Sequence, residues 1–227
     1  MTDIVVIRPD YELATRYGAY YQKSLVIDEA VKLGLSVTDL YKSDAVKSMF
    51  VKAIREGNVK FITGTGHGNV NVFTGQNYNY ILVKGYESDA KLLENRSVSF
   101  LSCSFGDSAD WWVARGCRGF FGYNRTYYFI TGVFPNSRAK YFFTSHHSYD
   151  KAILAGKTQR EAFEECINAY NNAIREAPYD VKYVLIWDRD SAVFKGDGNY
   201  APFKKQSESL ICKLLKWLMK IFKCRCG

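Results

Sequence analysis

The sequence predicts an α/β protein in which helices cover both faces of a mainly parallel sheet, a three-layer αβα sandwich. Short apolar runs alternate with helical patterns along the chain, which is typical of successive βαβ units. The 227 residues are 47% hydrophobic and 16% aromatic, so the chain can bury one sizeable core. We therefore expect one main domain, residues 1–203, and a separate tail, residues 204–227.

In the first half of the chain, apolar runs predict the strands and the longer stretches between them predict the helices. The first run is closed by Arg8-Pro9-Asp10, which begins a loop. Strands are predicted at 3–8, 35–41, 59–62 and 80–83. Helices are predicted at 11–34, 44–57 and 89–95.

In the second half, breakers mark the ends of the helices. Gly156 separates two long helical stretches, and Pro178 ends the second of them. The apolar run Tyr183-Val184-Leu185-Ile186-Trp187 predicts the last strand, and residues 196–199 predict a turn. The other strands are predicted at 98–102 and 119–123, and the helices at 107–115, 137–155 and 158–177.

The net charge of +8 is concentrated in the tail. Seven lysines and arginines and one glutamate fall within residues 204–227, which leaves +2 for residues 1–203. A nearly neutral domain argues against a nucleic-acid-binding surface. Residues 1–7 lead directly into a strand with no secretory signal, so we expect a cytoplasmic protein.

The chain has six cysteines, three in the domain and three in the tail, and their spacing fits neither a disulfide framework nor a zinc site. Free thiols in a reducing compartment are therefore expected. No cofactor and no metal are expected. Residues 188–190 and Asp197 are interpreted as a solvated acidic loop, and His146 and His147 as surface residues.

The strongest chemical signal comes from two strand ends. The run Val59-Lys60-Phe61-Ile62 leads to His67, and the run 98–102 leads to Cys103. In open α/β sheets, ligands bind beyond the C-terminal ends of the strands. A thiol needs a base to take its proton, and imidazole titrates in the right range. We therefore expect Cys103 as nucleophile and His67 as base, with the N–H groups of Gly68 and Cys103 available to an oxyanion.

The order of the two residues excludes common alternatives. The α/β-hydrolases and papain-like enzymes place the nucleophile before the histidine, the reverse of the order here. Gly64-x-Gly66-x-Gly68 lacks the final spacing of a dinucleotide-binding loop, and no helix follows it. Taken singly, Cys103 is interpreted as a small core residue and His67 as a turn residue. A non-catalytic binding module of the same fold is the alternative function.

These motifs resemble those of the caspase-like cysteine peptidases, a group of gingipains, caspases, legumains, separases and bacterial CHAT proteases. The resemblance rests on one apolar strand that leads to His67-Gly68 and another that leads to Ser102-Cys103, and it is greatest for the gingipain and CHAT branches. It implies a caspase-like sheet and a cysteine endopeptidase that hydrolyses a protein or peptide substrate. It also implies that Cys103 is the nucleophile, that His67 is its partner, and that the Gly68 and Cys103 amides bind the oxyanion.

In that group, the loop after the first strand helps to form the specificity pocket. Here this loop offers both signs of charge, through Arg8 and Arg16 and through Asp10 and Glu12. If Asp10 faces the pocket, a basic side chain before the scissile bond is expected; if Arg8 does, an acidic one. Leu101 lies where caspases and legumains have a polar residue. Its apolar side chain matches the gingipain branch and favours the basic alternative.

The tail predicts a basic amphipathic helix. Residues 210–222 mix apolar side chains with lysines, and thirteen helical residues reach about 20 Å. This is less than the roughly 30 Å of a bilayer core, so the helix would lie in an interface. We expect residues 207–223 to bind an anionic membrane surface, on the inner face of the membrane. Docking on the same domain, or on a second subunit in a homo-oligomer, fits the wide apolar arc equally well.

Overall fold

A six-stranded sheet with helices on both faces forms the body of the protein. The structure is a computed structural model that describes residues 1–204. The strands are, in chain order, β1 (Ile4–Arg8), β2 (Val37–Tyr41), β3 (Phe61–Thr65), β4 (Val72–Thr74), β5 (Tyr80–Val83), β6 (Ser97–Leu101), β7 (Gly119–Tyr123) and β8 (Ala192–Gly196). The main sheet has the order β2-β1-β3-β6-β7-β8, and β4 pairs with β5 in a small hairpin. Every pair in the main sheet is parallel except β7 and β8.

The helices follow the predicted pattern closely up to residue 177. The predicted helix at 11–34 is confirmed as a helical stretch from residue 13 to residue 32, with one wider π-helical turn at Lys23–Ile27. The α-helices are α1 (Leu13–Gln22), α2 (Asp28–Lys32), α3 (Lys47–Glu56), α4 (Glu87–Leu93), α5 (Ala109–Val113), α6 (Ser137–Leu154), α7 (Gln159–Glu176) and α8 (Tyr179–Ser191).

Two hydrophobic cores lie on opposite faces of the sheet, because successive side chains of a strand point in opposite directions. On one face, Phe61, Leu101 and Phe121 pack with side chains of α1, α6 and α7. On the other face, Ile62 and Phe100 pack with side chains of α3, α4 and α5. The predicted fold class, an α/β sandwich of three layers with a mainly parallel sheet, is confirmed.

The strand order brings together the loops that follow β1, β3 and β6. Because β1 lies between β2 and β3, the sheet grows in opposite directions from β1, and a crevice opens beyond the C-terminal ends of β1 and β3. Ligands bind in such crevices in open α/β sheets. The loops that follow β1, β3 and β6 all begin at this edge.

The prediction of a last strand at residues 183–187 is wrong, since this segment belongs to α8. Its buried side chains include Val181, Leu185 and Asp188, whose spacing of four and three residues marks one face of a helix. The aromatic and β-branched content of the segment favoured a strand, but Pro178 ends α7 and a new helix begins directly after it. The last strand is β8, which follows α8 and pairs antiparallel with β7.

The prediction that His146 and His147 are surface residues is also wrong. Both are fully buried, because α6 is covered by α1, by α7 and by the sheet. One nitrogen of each ring is hydrogen-bonded: His147 Nδ1 lies 2.7 Å from Asp150 Oδ2, and His146 Nδ1 lies 3.0 Å from the Tyr123 hydroxyl. The Nε2 atoms of both rings are buried and have no hydrogen-bond partner within residues 1–204. Asp188 is likewise fully buried, which contradicts its interpretation as part of a solvated loop.

The predictions for residues 205–227, including the amphipathic helix, lie outside the described residues. The domain boundary after residue 203 stays a prediction. Among the helices within residues 1–204, none combines the length and the apolar character that a membrane crossing requires.

Candidate active site

His67 and Cys103 occupy equivalent positions beyond two paired strands. Thr65 ends β3 and Leu101 ends β6, and these two residues are register partners. The N–H of Gly66 donates to the carbonyl oxygen of Leu101 at 3.1 Å, which continues the ladder past the strand ends. His67 and Cys103 each follow their strand end by two residues. Both therefore reach the same crevice, where they line one cavity.

The backbone around His67 is closely packed, and at Gly66 the packing leaves no room for a side chain. A Cβ atom on Gly66 would lie 2.2 Å from the carbonyl oxygen of Thr74, and one on Gly68 would lie 3.0 Å from Ser102 Oγ. The Thr74 N–H donates to the His67 carbonyl oxygen at 2.9 Å. The hairpin of β4 and β5, of which the sequence predicted only β5, therefore fixes the loop that carries the imidazole.

Glu12 and Tyr78 hold the imidazole of His67 in place. A carboxylate oxygen of Glu12, the residue before α1, is hydrogen-bonded to His67 Nε2. The Tyr78 ring stacks on the imidazole with centroids 5.1 Å apart, and Tyr11 packs edge-on against Tyr78 at 5.2 Å. Asn77 and Tyr78 have φ angles of 51° and 60°, a strained backbone for residues with side chains. Such strain persists where the surroundings impose it, here beside the imidazole.

The sequence alone does not identify Glu12 or Tyr78 as a partner of His67. It places Glu12 only among the charges of the specificity loop, although Glu12 follows β1, the parallel neighbour of β3. Residues that follow adjacent parallel strands lie at one edge of a sheet, and this rule is the signal that could have found Glu12. No comparable signal exists for Tyr78, whose position depends on the path of an Asn-, Gly- and Tyr-rich loop.

The thiol of Cys103 is neutral at pH 7. Its side chain is partly buried, and this burial raises the pKa of the thiol above its ordinary value, while the hydrogen bond to the Tyr127 carbonyl oxygen lowers it in part. Sγ lies 3.9 Å from the carbonyl oxygen of Tyr127. The next residue, Ser104, has a φ of 58°, so the chain turns sharply after the cysteine. Reaction through a thiolate requires a neighbouring base to take the proton.

The N–H groups of Gly68 and Cys103 are free to bind a ligand. Within residues 1–204, neither N–H donates a hydrogen bond to another protein group. The close approach of Gly68 to Ser102 places it beside the residue that precedes Cys103. Two such donors close to a nucleophile could stabilise a developing oxyanion. This role stays a prediction.

Of the three residues predicted to bind substrate, only Leu101 lines the cavity that contains His67 and Cys103. Arg8 is buried and paired with Asp39, with its Nε 2.8 Å from Asp39 Oδ1. Asp10 accepts a hydrogen bond from the Tyr41 hydroxyl at 2.9 Å. Arg8, Asp10 and Tyr41 belong to a separate depression on the surface.

The cavity beside Cys103 is small and mostly apolar, with a volume of about 80 Å³. Besides His67, no residue that lines it carries an ionisable acid or base other than the thiol and one tyrosine. Its apolar walls come from the loop after β7, from α1, from α6 and from the end of β6, namely Ala14, Gly18, Leu101, Tyr127, Phe129 and Phe143.

A second group of chemically active side chains lies inside the domain. Ligand atoms of His146, His147 and Asp150 lie within 4.8 Å of one another, and within residues 1–204 this is the one such group whose donor types could hold a metal ion. The Thr63 hydroxyl donates to Asp150 Oδ2 at 3.1 Å, which links the group to β3. Burial lowers the pKa of His146 well below its ordinary value, so its imidazole is neutral. The expectation of no metal stays a prediction.

No family model matches the sequence, and no curated protein matches it. Among solved structures, the chain is similar to the complex of the RgpB pro- and mature domains of Porphyromonas gingivalis, with a TM-score of 0.59 and 11% identity over 88% of this chain and 48% of that chain. It is also similar to the Arg-specific cysteine proteinase gingipain R, with a TM-score of 0.56 and 12% identity over 87% of this chain and 46% of that chain.

The chain spans about half the length of both structures. At these identities the likeness concerns the fold alone. The likeness to the CHAT branch stays a prediction. The protein therefore has the caspase-like α/β fold found in gingipain R.

Proposed function

We propose that the protein is a cysteine endopeptidase with Cys103 as nucleophile and His67 as its base. The observation that carries this proposal is the equivalent placement of the two residues, each two positions beyond paired strand ends and on one cavity. The fold shared with gingipain R, a cysteine proteinase, supports the same reaction class.

The hydrogen bond between Glu12 and His67 Nε2 determines which ring nitrogen is used. Because the carboxylate accepts a hydrogen bond from Nε2–H, the proton of the neutral ring stays on Nε2, and Nδ1 keeps a lone pair that can accept the thiol proton of Cys103. The carboxylate also stabilises the imidazolium that forms when Nδ1 is protonated. Glu12 acts in this proposal as a positioning residue, and Tyr78 supports the same ring orientation by stacking.

In the proposed reaction, Sγ of Cys103 attacks the carbonyl carbon of the scissile bond while its proton moves to His67. The N–H groups of Gly68 and Cys103 bind the oxyanion of the tetrahedral intermediate. His67 then gives the proton to the leaving amine, and the C–N bond breaks to leave a thioester on Cys103. Water, deprotonated by His67, hydrolyses the thioester and restores the thiol.

The direct test uses the full chain, a peptide pool and a peptidyl chloromethyl ketone. Mass spectrometry is expected to find new peptide termini and, after treatment with the ketone, one covalent label on Cys103 together with loss of cleavage. Cys117 is a suitable internal control, because its burial raises the pKa of that thiol to about 12 and it should stay unlabelled. Absence of cleavage, or cleavage that survives complete labelling of Cys103, would overturn the proposal.

For the tail we propose, from its sequence, that residues 207–223 bring the peptidase to an anionic membrane surface. The full chain is expected to sediment with vesicles that contain phosphatidylglycerol and to stay in solution with phosphatidylcholine vesicles. Replacing Lys213, Lys216 and Lys220 by glutamate in one variant should abolish this sedimentation. Equal sedimentation of variant and wild type would contradict membrane binding, and a dimer in size-exclusion chromatography would instead support docking between subunits.

A further inference from the structure

The cavity beside Cys103 is the part of the molecule that a substrate side chain would enter. A carbonyl carbon in contact with Cys103 Sγ is bonded to the Cα atom of its own residue. The side chain nearest to a cavity shared by Sγ and the imidazole of His67 is therefore that of the residue before the scissile bond. The chemistry of the cavity walls decides which side chains can bind there.

Three of the four hydroxyl groups on the walls already have partners. The Thr15 hydroxyl donates to the Glu12 carbonyl oxygen at 3.1 Å, and the Thr65 hydroxyl is hydrogen-bonded to the Gln22 side chain at 3.3 Å. The Tyr127 hydroxyl lies 3.5 Å from that of Tyr170, inside the core. The fourth, the Ser102 hydroxyl, is buried and has no hydrogen-bond partner within residues 1–204. Apart from this one neutral hydroxyl, the walls offer mainly apolar contact.

Three of the four charged side chains of the β1 loop are engaged elsewhere. Arg8 binds Asp39 and also donates to the carbonyl oxygen of Ala19 at 2.9 Å. Asp10 forms ion pairs with Arg16 and Lys42 at the surface. The fourth, Glu12, is hydrogen-bonded to His67 and does not itself line the cavity.

The acid near Cys103 on the interior side is Asp188, which is not part of the cavity wall. Burial raises the pKa of Asp188 to about 9, so the carboxyl group is neutral at pH 7 and offers no negative charge to a basic substrate. A guanidinium or ammonium group in the cavity would lose its hydration without gaining an ionic partner, and a carboxylate would meet only the imidazole of His67, which Glu12 already engages.

We propose that the cavity selects an uncharged, apolar side chain on the residue before the scissile bond, with Leu101 as a specificity-determining residue. This inference rests on the proposed peptidase activity and goes beyond it. It differs from the sequence-based expectation of a basic or acidic side chain at this position.

The test compares fluorogenic peptides that differ only at the residue before the scissile bond, with leucine, methionine, arginine, lysine, aspartate or asparagine there. With the full chain, kcat/KM is expected to be at least about 100-fold higher for leucine or methionine than for any charged residue. Higher or equal turnover of arginine or aspartate peptides overturns the inference and leaves the peptidase proposal standing. No turnover of any peptide, with no label on Cys103, overturns the proposed function and the inference with it.

Variants that add a charge to the cavity wall provide a second test of the proposed substrate preference. Leu101→Asp is expected to raise the ratio of arginine to leucine turnover at least about 10-fold, whereas the uncharged Leu101→Asn should not. Leu13→Asp adds the same charge on an exposed side chain outside the cavity, and it should keep the wild-type preference. A rise in arginine turnover in Leu13→Asp equal to that in Leu101→Asp would contradict a role for the cavity. The wild-type panel decides the question even if Leu101→Asp fails to fold.

Discussion

Replacement of Cys103 or His67 by alanine is expected to lower kcat/KM for peptide hydrolysis by a factor of roughly 10³ or more. Without Cys103 no thioester can form. Without His67 the proton stays on a thiol whose pKa is raised by burial, so the thiolate is scarce at neutral pH. The double variant should lose no more activity than either single variant, because the two residues act as one unit. Steady-state kinetics with one fluorogenic peptide measure all three.

Two further variants distinguish a loss of catalysis from a loss of folded protein. Cys117→Ala removes a buried thiol on the opposite face of the sheet and should keep its turnover per folded molecule. Glu12→Gln keeps an oxygen that can accept a hydrogen bond from His67 Nε2–H, but it removes the negative charge. We therefore expect a loss of kcat/KM smaller than that of His67→Ala, and an altered pH profile of kcat/KM. If Cys103→Ala retained substantial turnover while Cys117→Ala lost it, the assignment of the nucleophile would be wrong.

Asp188→Asn is expected to remove a large pH-dependent loss of stability. Burial raises the pKa of Asp188 from 3.8 to about 9, and the single hydrogen bond from the Tyr128 N–H, at 3.0 Å, lowers it only in part. Between these two values the folded protein holds a proton that the unfolded chain has released. The free energy of unfolding therefore falls as the pH rises, by up to about 1.4 kcal/mol per pH unit, until the folded-state carboxyl group ionises near pH 9.

Asparagine cannot titrate, and its amide oxygen can accept the same hydrogen bond from Tyr128. Urea unfolding at pH 5, 6.5 and 8 should therefore show the variant gaining stability relative to wild type as the pH rises. The groups that interact electrostatically with Asp188 stay neutral over this range, since burial raises the pKa of each: Cys103, Tyr123, Tyr127 and Tyr170. Asp190→Asn, on a half-exposed neighbour, is the control. A stability difference that is the same at all three pH values would contradict the prediction.

Much of the fold could be predicted because the sheet is parallel and buried on both faces. Fully buried strands such as Ile4–Arg8 and Gly119–Tyr123 consist mainly of apolar residues, and such runs stand out against helical patterns. The same reasoning failed at Tyr179–Ser191, where aromatic and β-branched residues lie on a helix packed against α7. Local composition does not record which neighbour an element will pack against.

The candidate site was predictable where it depends on strand ends and unpredictable where it depends on loops. His67 and Cys103 follow buried strands, so their convergence required only the sheet order. The contact between Glu12 and His67 required the path of the loop after β1. The burial of His146 and His147 required knowing that α6 is covered on several sides, which no window of its own sequence contains.

The shared two-residue offset of His67 and Cys103 from their strand ends also amounts to a rule for protein engineering. Two adjacent parallel strands that stop in register lie about 4.8 Å apart, so their ends bring the residues that follow them to one edge of the sheet. The orientation of the imidazole then depends on contacts from other segments, with Thr74 of the β4–β5 hairpin, with Glu12 and with Tyr78. A designer who wished to place an imidazole and a thiol on another parallel sheet would therefore have to transfer this offset together with the segments that hold the ring.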